Sequence, residues 1–319
     1  MPSPDDFDAI LAEPAPSVHA PAPIASSPRP VEAHRDEHAA HLGAPSLREF
    51  AESWALYRDP VLAGVFAGLA LGMVGVFIVL RRAVFVTAAV SQAAGLGVAC
   101  AFLISIHAGI EASPVLLAFL FAAAAALMVA LRPPARLPKE VVVGFVYLAG
   151  SALAIIVGDK ISQEAHDIAS ILFGTAVLVR PFDLWLLVGI GSAATLGVAL
   201  CARGLAFAGF DPDAARVQAL PVSLLEGGLW LSVAAVVAVA TRALGALPVF
   251  AFAVLPAFGS LSLARRLPQA LLLGAFGGAF AGGAGYVAAF LFELPVGAAQ
   301  ATVAGLFALI ALGLGRFRR

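Results

Sequence analysis

Residues able to do chemistry are few in this sequence, and they are scattered. Glu164, His166 and Asp167 lie close together, and His107 and Glu111 are four positions apart. Carboxylate oxygens and imidazole nitrogens of this kind can replace part of the hydration shell of a divalent cation. The first trio could therefore serve as an entry site for a metal or as a contact for a protein that delivers one, or it could be a plain solvated loop. His34, His38 and His41 recur so that the first two would share one face of a helix, with Asp36 and Glu37 beside them. That segment is either a weak metal-capturing tail or a solvated polar stretch. Cys100 and Cys201 lie in apolar runs without CxxC spacing and read as small packing residues. Neither of the two lysines, Lys139 and Lys160, follows a glycine-rich phosphate cradle. ATP hydrolysis on this chain is therefore not expected.

The elements that must position these residues are membrane helices. Of the 319 residues 61% are hydrophobic and 12% charged, against roughly 45–50% and 25% in soluble domains. A hydrocarbon core of about 30 Å needs roughly 20 apolar helical residues to cross it. Runs near that length occupy residues 60–80, 84–106, 114–131, 141–158, 184–202, 222–241, 243–264, 267–292 and 294–315. The expected fold is all-α, a polytopic inner-membrane bundle of eight or nine transmembrane helices. Pro248 and Pro256 mark 243–264 as the span most prone to be broken or short, because each removes a helix donor. Gly64, Gly68 and Gly72 on the first span, and Gly274, Gly278 and Gly282 on the eighth, form stripes that allow close backbone approach. Such stripes could pack within one chain or build the wall of a pore between two copies.

Nine prolines fall within residues 1–50 among Ala, Ser and acidic residues, the composition of a disordered tail. The tail lacks the basic start and apolar core of a cleavable signal. Residues 51–59 read as an interfacial segment, part of a short amphipathic helix from Ser46 to Tyr57 anchored by Phe50, Trp54 and Tyr57. Residues 60–315 form the membrane domain, and 316–319 a basic tail. Lys and Arg of the membrane domain fall at alternate span ends. Twelve belong to one side (Arg81 and Arg82, Arg132, Arg136 and Lys139, Arg203 and Arg216, Arg265 and Arg266, and three at the C-terminus), and three, Lys160, Arg180 and Arg242, to the other. Basic residues are retained on the cytoplasmic face. This places the C-terminus inside and, with nine crossings, the acidic N-terminal tail in the periplasm.

Three stretches, in this order, resemble the permease subunits of zinc and manganese ABC importers. They are GVFIVLRRAVFVTAAVSQAAGLGVA at 75–99, IASILFGTAVLVRPFDL at 168–184, and 210–266 with FDPDAARVQALPVSLLEG and LGALPVFAFAVLPAFGSLSLARR. The resemblance implies a homodimer in membrane lipid, an ABC ATPase on a separate cytoplasmic chain, and a periplasmic metal-binding protein that delivers cargo. It implies no permanently bound cofactor, a transported divalent metal (zinc, manganese or iron), and no nucleic-acid partner. It also assigns Asp211, Pro212, Asp213, Ala215, Arg216 and Ala219 to the segment that receives the ATPase stroke. The residues agree with that assignment. Asp211 is an N-cap, Pro212 a first-turn proline and Asp213 an acid at the positive pole of a short helix running to about Ala219. Similar permeases carry Gly where Ala219 stands.

The same family usually carries Asp and, one turn later, His on its second span. Here those positions are Ala88 and Gln92, beside Ser91. Ser91 and Gln92 are candidate pore-lining groups, with Gln92 offering only a neutral carbonyl oxygen, acceptable to a hard cation among other oxygens. An alternative cargo is a chelated metal or another small solute whose charge is masked. Residues 168–179 are too short to cross and could re-enter to hold the Glu164 loop at the pore mouth. Glu226 reads as an interfacial charge paired with Arg216. An intramembrane enzyme or a proton-driven transporter would need ionisable residues at mid-membrane depth, each costing about 3 kcal/mol to insert, and the spans contain none.

Overall fold

The computed structural model describes residues 46–130, 138–161 and 179–317. Every regular element among them is helical. In chain order they are α1 (Leu47–Glu52), α2 (Trp54–Leu80), α3 (Val84–Ala108), α4 (Pro114–Ala130), α5 (Lys139–Asp159) and α6 (Pro181–Phe210). After these come α7 (Pro212–Val217), α8 (Val222–Leu244), α9 (Ala246–Leu263), α10 (Leu267–Leu291) and α11 (Val296–Phe317). Eight of these are long and apolar enough to cross a bilayer, and α4 is a ninth, shorter apolar helix.

Local signals set the ends. Ser46 and Glu49 form a capping box, with the Ser46 hydroxyl oxygen accepting from the Glu49 amide and the Glu49 carboxylate accepting from the Ser46 amide. Pro181 and Pro212 open α6 and α7, where their missing N–H costs nothing. Gly109 closes α3 at φ 64°.

The proline-bearing span 243–264 is not broken at its prolines. Pro248 sits in the first turn of α9, where no intrahelical donor is needed, and the helix runs through Pro256 to Leu263. The break falls at Gly245, whose φ of 95° turns the chain directly from α8 into α9. At 18 residues α9 is the shortest of the eight long helices, and α4 with 17 is shorter still.

The core is built around α2. Gly64, Gly68 and Gly72 face Gly282, Gly278 and Gly274 of the antiparallel α10, so closely that a Cβ on Gly68 would overlap the Gly278 carbonyl and one on Gly278 the Gly68 carbonyl. The glycine stripes are therefore used for packing within the chain. At this approach Cα–H to carbonyl contacts and dispersion accumulate where a hydrophobic driving force is absent. Gly75 meets the Ala253 backbone of α9 in the same way. Gln300 of α11, fully buried, donates from Nε2 to the Gly282 carbonyl at 3.0 Å.

Phe50 turns inward. It is 7% exposed, stacks on Tyr57 with ring centroids 5.7 Å apart and packs on Phe290 of α10 at 5.2 Å. The short α1 is thereby fixed to the bundle, with Trp54 left half-exposed at the rim. Large apolar side chains point outward along α5, α6 and α11, including Phe145, Leu148, Trp185, Leu200, Leu309 and Ile310. That is the exterior of a chain solvated by lipid rather than water.

Candidate functional site

Two features at one end of the bundle stand out, a short helix and a cavity beside it. Helix α6 has 30 residues, about 45 Å at 1.5 Å per residue, longer than a hydrocarbon core of about 30 Å. Its C-terminal end leads into α7, with Asp211 between the two helices. Asp211 caps α7, its Oδ1 accepting from the Ala214 amide at 2.9 Å. Asp213 and Arg216 form an exposed ion pair at 2.9 Å. Ala215 is fully buried and forms a small apolar cluster with Ala208 of α6 and Val222 of α8. This one alanine seats α7 on both neighbours. The helix ends at Val217, and Gln218 follows as its C-cap. Ala219 then adopts φ 57°, and the Leu220 amide donates back to the Ala215 carbonyl at 3.0 Å. The left-handed conformation explains why glycine suits this position. Pro221 caps α8.

The cavity, about 1510 Å³, lies between α3, α5, α8 and the end of α6, and Pro212 of α7 reaches its edge. From α3 it is lined by Ala88, Ser91 and Gln92, which the structure brings together on one wall. The Ser91 hydroxyl donates to the Ala88 carbonyl at 2.9 Å. Gln92 Oε1 is buried and has no hydrogen-bond partner among the described residues, and an unpaired buried acceptor costs free energy. The carbonyl carbon and Cβ of Gln92 press close to Gly150 of α5. No group of three or more His, Cys, Asp or Glu able to hold a metal occurs among the described residues. Glu164, His166, Asp167 and the segment 168–178 lie outside the described residues, as do the His-bearing tail, Arg132, Arg136, Arg318 and Arg319. His107 and Glu111 are exposed.

Charged groups gather at the cavity end near α7. Arg81 caps α2, and its guanidinium Nη2 donates to the Leu205 carbonyl of α6 at 3.2 Å. It lies over the Phe77 ring, 5.9 Å from the centroid. Burial pushes the Arg81 guanidinium below its ordinary value, and the Glu226 carboxylate opposes that shift. The expected Glu226–Arg216 pair is not formed. Arg216 is held by Asp213 on its own helix, and Arg81 is the cation that Glu226 acts on.

At the opposite end Asp183, in the first turn of α6, meets Arg242, in the last turn of α8. The Nη1–Oδ1 distance is 3.4 Å, and both side chains are largely buried. Each charge sits at the helix pole that favours it. The sequence marks Arg242 as one of three basic residues on its side, but not its pairing with Asp183. The available signal was that only three basic residues fall on that side of the chain.

The described residues thus form an apolar helical bundle that carries one short capped helix, α7, next to a cavity. The ABC 3 transport family matches residues 54–315, and the chain belongs to that family. A manganese transport system membrane protein, MntC, from Halalkalibacterium halodurans is 29% identical over 81% of this chain and 87% of its own length. A manganese import system permease protein, ScaB, from Streptococcus pneumoniae is 26% identical over 79% of this chain and 88% of its own. Among solved structures, PsaBC from Streptococcus pneumoniae in complex with Fab superposes with a TM-score of 0.74 at 24% identity, covering 83% of this chain and 95% of that one. An ABC transporter in an inward-facing conformation gives 0.64 at 16% identity. These likenesses establish the fold, an all-α ABC permease bundle.

Proposed function

We propose that the chain is the non-catalytic, membrane-spanning subunit of an ATP-driven importer of divalent metal ions, with manganese the first cargo to test and zinc and iron behind it. The observation that carries this reading is α7, capped by Asp211 and seated on α6 and α8 through Ala215, in a chain whose relatives are named for manganese transport. The basic residues cluster at the α7 end, with Lys160, Arg180 and Arg242 at the other, so α7 and the C-terminus face the cytoplasm and the N-terminal tail the periplasm. Two copies flank the translocation path, an ABC ATPase docks on α7, and a periplasmic metal-binding protein delivers the ion. Purified complex in phospholipid vesicles is expected to accumulate radioactive manganese only with ATP and the delivery protein. Uptake that ignores ATP would overturn the reading.

A second reading concerns cargo alone. Ser91 and Gln92 supply only neutral groups, and no ligand cluster stands in the described part of the path. The cavity, about 1510 Å³, is larger than the roughly 300–1,000 Å³ typical of small-molecule sites. A chelated metal would need no protein ligands there. Uptake of manganese supplied as its citrate complex, exceeding that of the free ion at equal total metal, would favour this reading; the reverse would favour the bare ion.

A further inference from the structure

We propose that Arg81 is a positioning residue that ties the end of α6, where α7 begins, to the helix that lines the cavity. The inference rests on the importer reading of α7 and goes beyond it by naming the contact through which movement of α7 reaches the path.

Three observations support it. The first is connectivity. Arg81 and Arg82 make the tight turn between α2 and α3, with Arg82 held at φ 54° and the Ala83 amide bonded to the Ile78 carbonyl at 3.0 Å. A non-glycine residue in the left-handed region and a closed hydrogen bond leave this turn little slack. A displacement of Arg81 is therefore passed to the start of α3 at Val84, and α3 carries Ser91 and Gln92 two turns further on. The second is the contact across the chain. The Arg81 guanidinium donates to the Leu205 carbonyl at 3.2 Å, close to the C-terminal pole of α6, where exposed carbonyls favour a cation. Gly209, one turn beyond Leu205, lies beside the guanidinium: a Cβ there would touch Arg81 Cζ at 3.5 Å, an ordinary contact, and a longer side chain would press on it. Two residues after Gly209 comes Asp211, the cap of α7.

The third is enclosure by a second arm of the same unit. Glu226 of α8 acts on the Arg81 charge, and α8 is joined to α7 through Val222 and Ala215. Arg81 is thus bonded to α6 and lies in the field of the Glu226 carboxylate on α8, the two helices that flank α7, and it lines the cavity together with Pro212. Exposed Arg82, its neighbour in sequence, also lines the cavity but has no side-chain hydrogen bond or ion pair among the described residues. A planar, always-charged guanidinium fits this position because it can donate to a backbone carbonyl and lie on an aromatic ring at once.

The test uses the full complex with its ATPase and delivery protein in phospholipid vesicles, and reads manganese accumulated per ATP hydrolysed. A residue that only stabilises the fold changes how many complexes work but not this ratio. Arg81→Gln is expected to lower the ratio about tenfold, the equivalent of one charge-assisted hydrogen bond, while the ATPase still co-purifies. Arg81→Lys, which keeps the charge and a donor, is expected to recover much of the loss. Gly209→Leu, which displaces the guanidinium from the α6 side, should lower the ratio comparably, and the Arg81→Gln/Gly209→Leu pair should be no worse than either alone. A wild-type ratio in Arg81→Gln would overturn the proposal while leaving the importer reading intact. Parallel loss of bound ATPase and of transport at an unchanged ratio would also overturn it, by making Arg81 a docking or folding residue. A wild-type chain that recovers no ATPase would instead overturn the importer reading, and the proposal with it.

Discussion

At the scale of single residues, two positions carry strain or charge that can be measured. Ala219 holds a left-handed φ of 57° where the chain leaves α7. This conformation costs an L-residue about 1 kcal/mol that glycine does not pay. Ala219→Gly is expected to raise the thermal midpoint of the purified protein slightly and to leave its elution volume unchanged; a lower midpoint would mean that the gain in unfolded-chain freedom outweighs the relief. Asp183 and Arg242 form a largely buried pair. Removing one partner strands the other charge, so Arg242→Ala should destabilise by about 3 kcal/mol. The joint replacement Asp183→Leu with Arg242→Met should cost much less, because no charge is left unpaired. Equal losses in the two variants would show that packing, and not charge, governs that corner. Neither the pair nor the Arg81–Glu226 relation was legible from sequence. Each joins residues far apart in the chain, and a lone charge at a span end reads equally as a solvated one. The left-handed turn at Ala219 was not read from the sequence either, because an alanine there gives no sign of it.

At the scale of elements, the spans themselves were legible because apolar runs of membrane length have no other use in such a chain. Their ends were less so. Helix α2 starts at Trp54, upstream of the run from 60 to 80, and runs through Pro60, with Arg58 and Asp59 paired at 3.1 Å. Helix α6 continues past Ala202 through Arg203 to Phe210, since leaving the apolar layer does not end a helix. Gly245, not either proline, separates α8 from α9. The α2–α10 contact gives a sharp prediction. A Cβ at Gly68 or Gly278 would overlap the facing carbonyl, so Gly68→Val should force the helices apart and yield aggregated or rapidly degraded protein. Gly189→Val, at an open position on α6, should behave as wild type in size-exclusion chromatography. Comparable behaviour of the two variants would mean that α2 and α10 do not depend on close approach.

At the scale of the whole molecule, the account separates two jobs. In the proposed importer, an apolar bundle packed on glycines provides the path, and the capped α7 meets the chain that supplies energy. Asp211 holds that helix in shape through the Ala214 amide at 2.9 Å. Asp211→Ala should weaken α7 by about 1 kcal/mol and reduce the ATPase recovered with the purified chain, with little change in the melting of the bundle. Unchanged ATPase recovery would detach α7 from docking.

The most direct measurement is site-specific cross-linking from α7 in intact cells. With a single photoreactive residue placed at Asp213, exposed on α7, the account predicts a cross-link to an ABC ATPase and no reaction of that helix with a membrane-impermeant reagent added outside. Labelling of α7 from outside, or illumination that captures no ATPase, would contradict it.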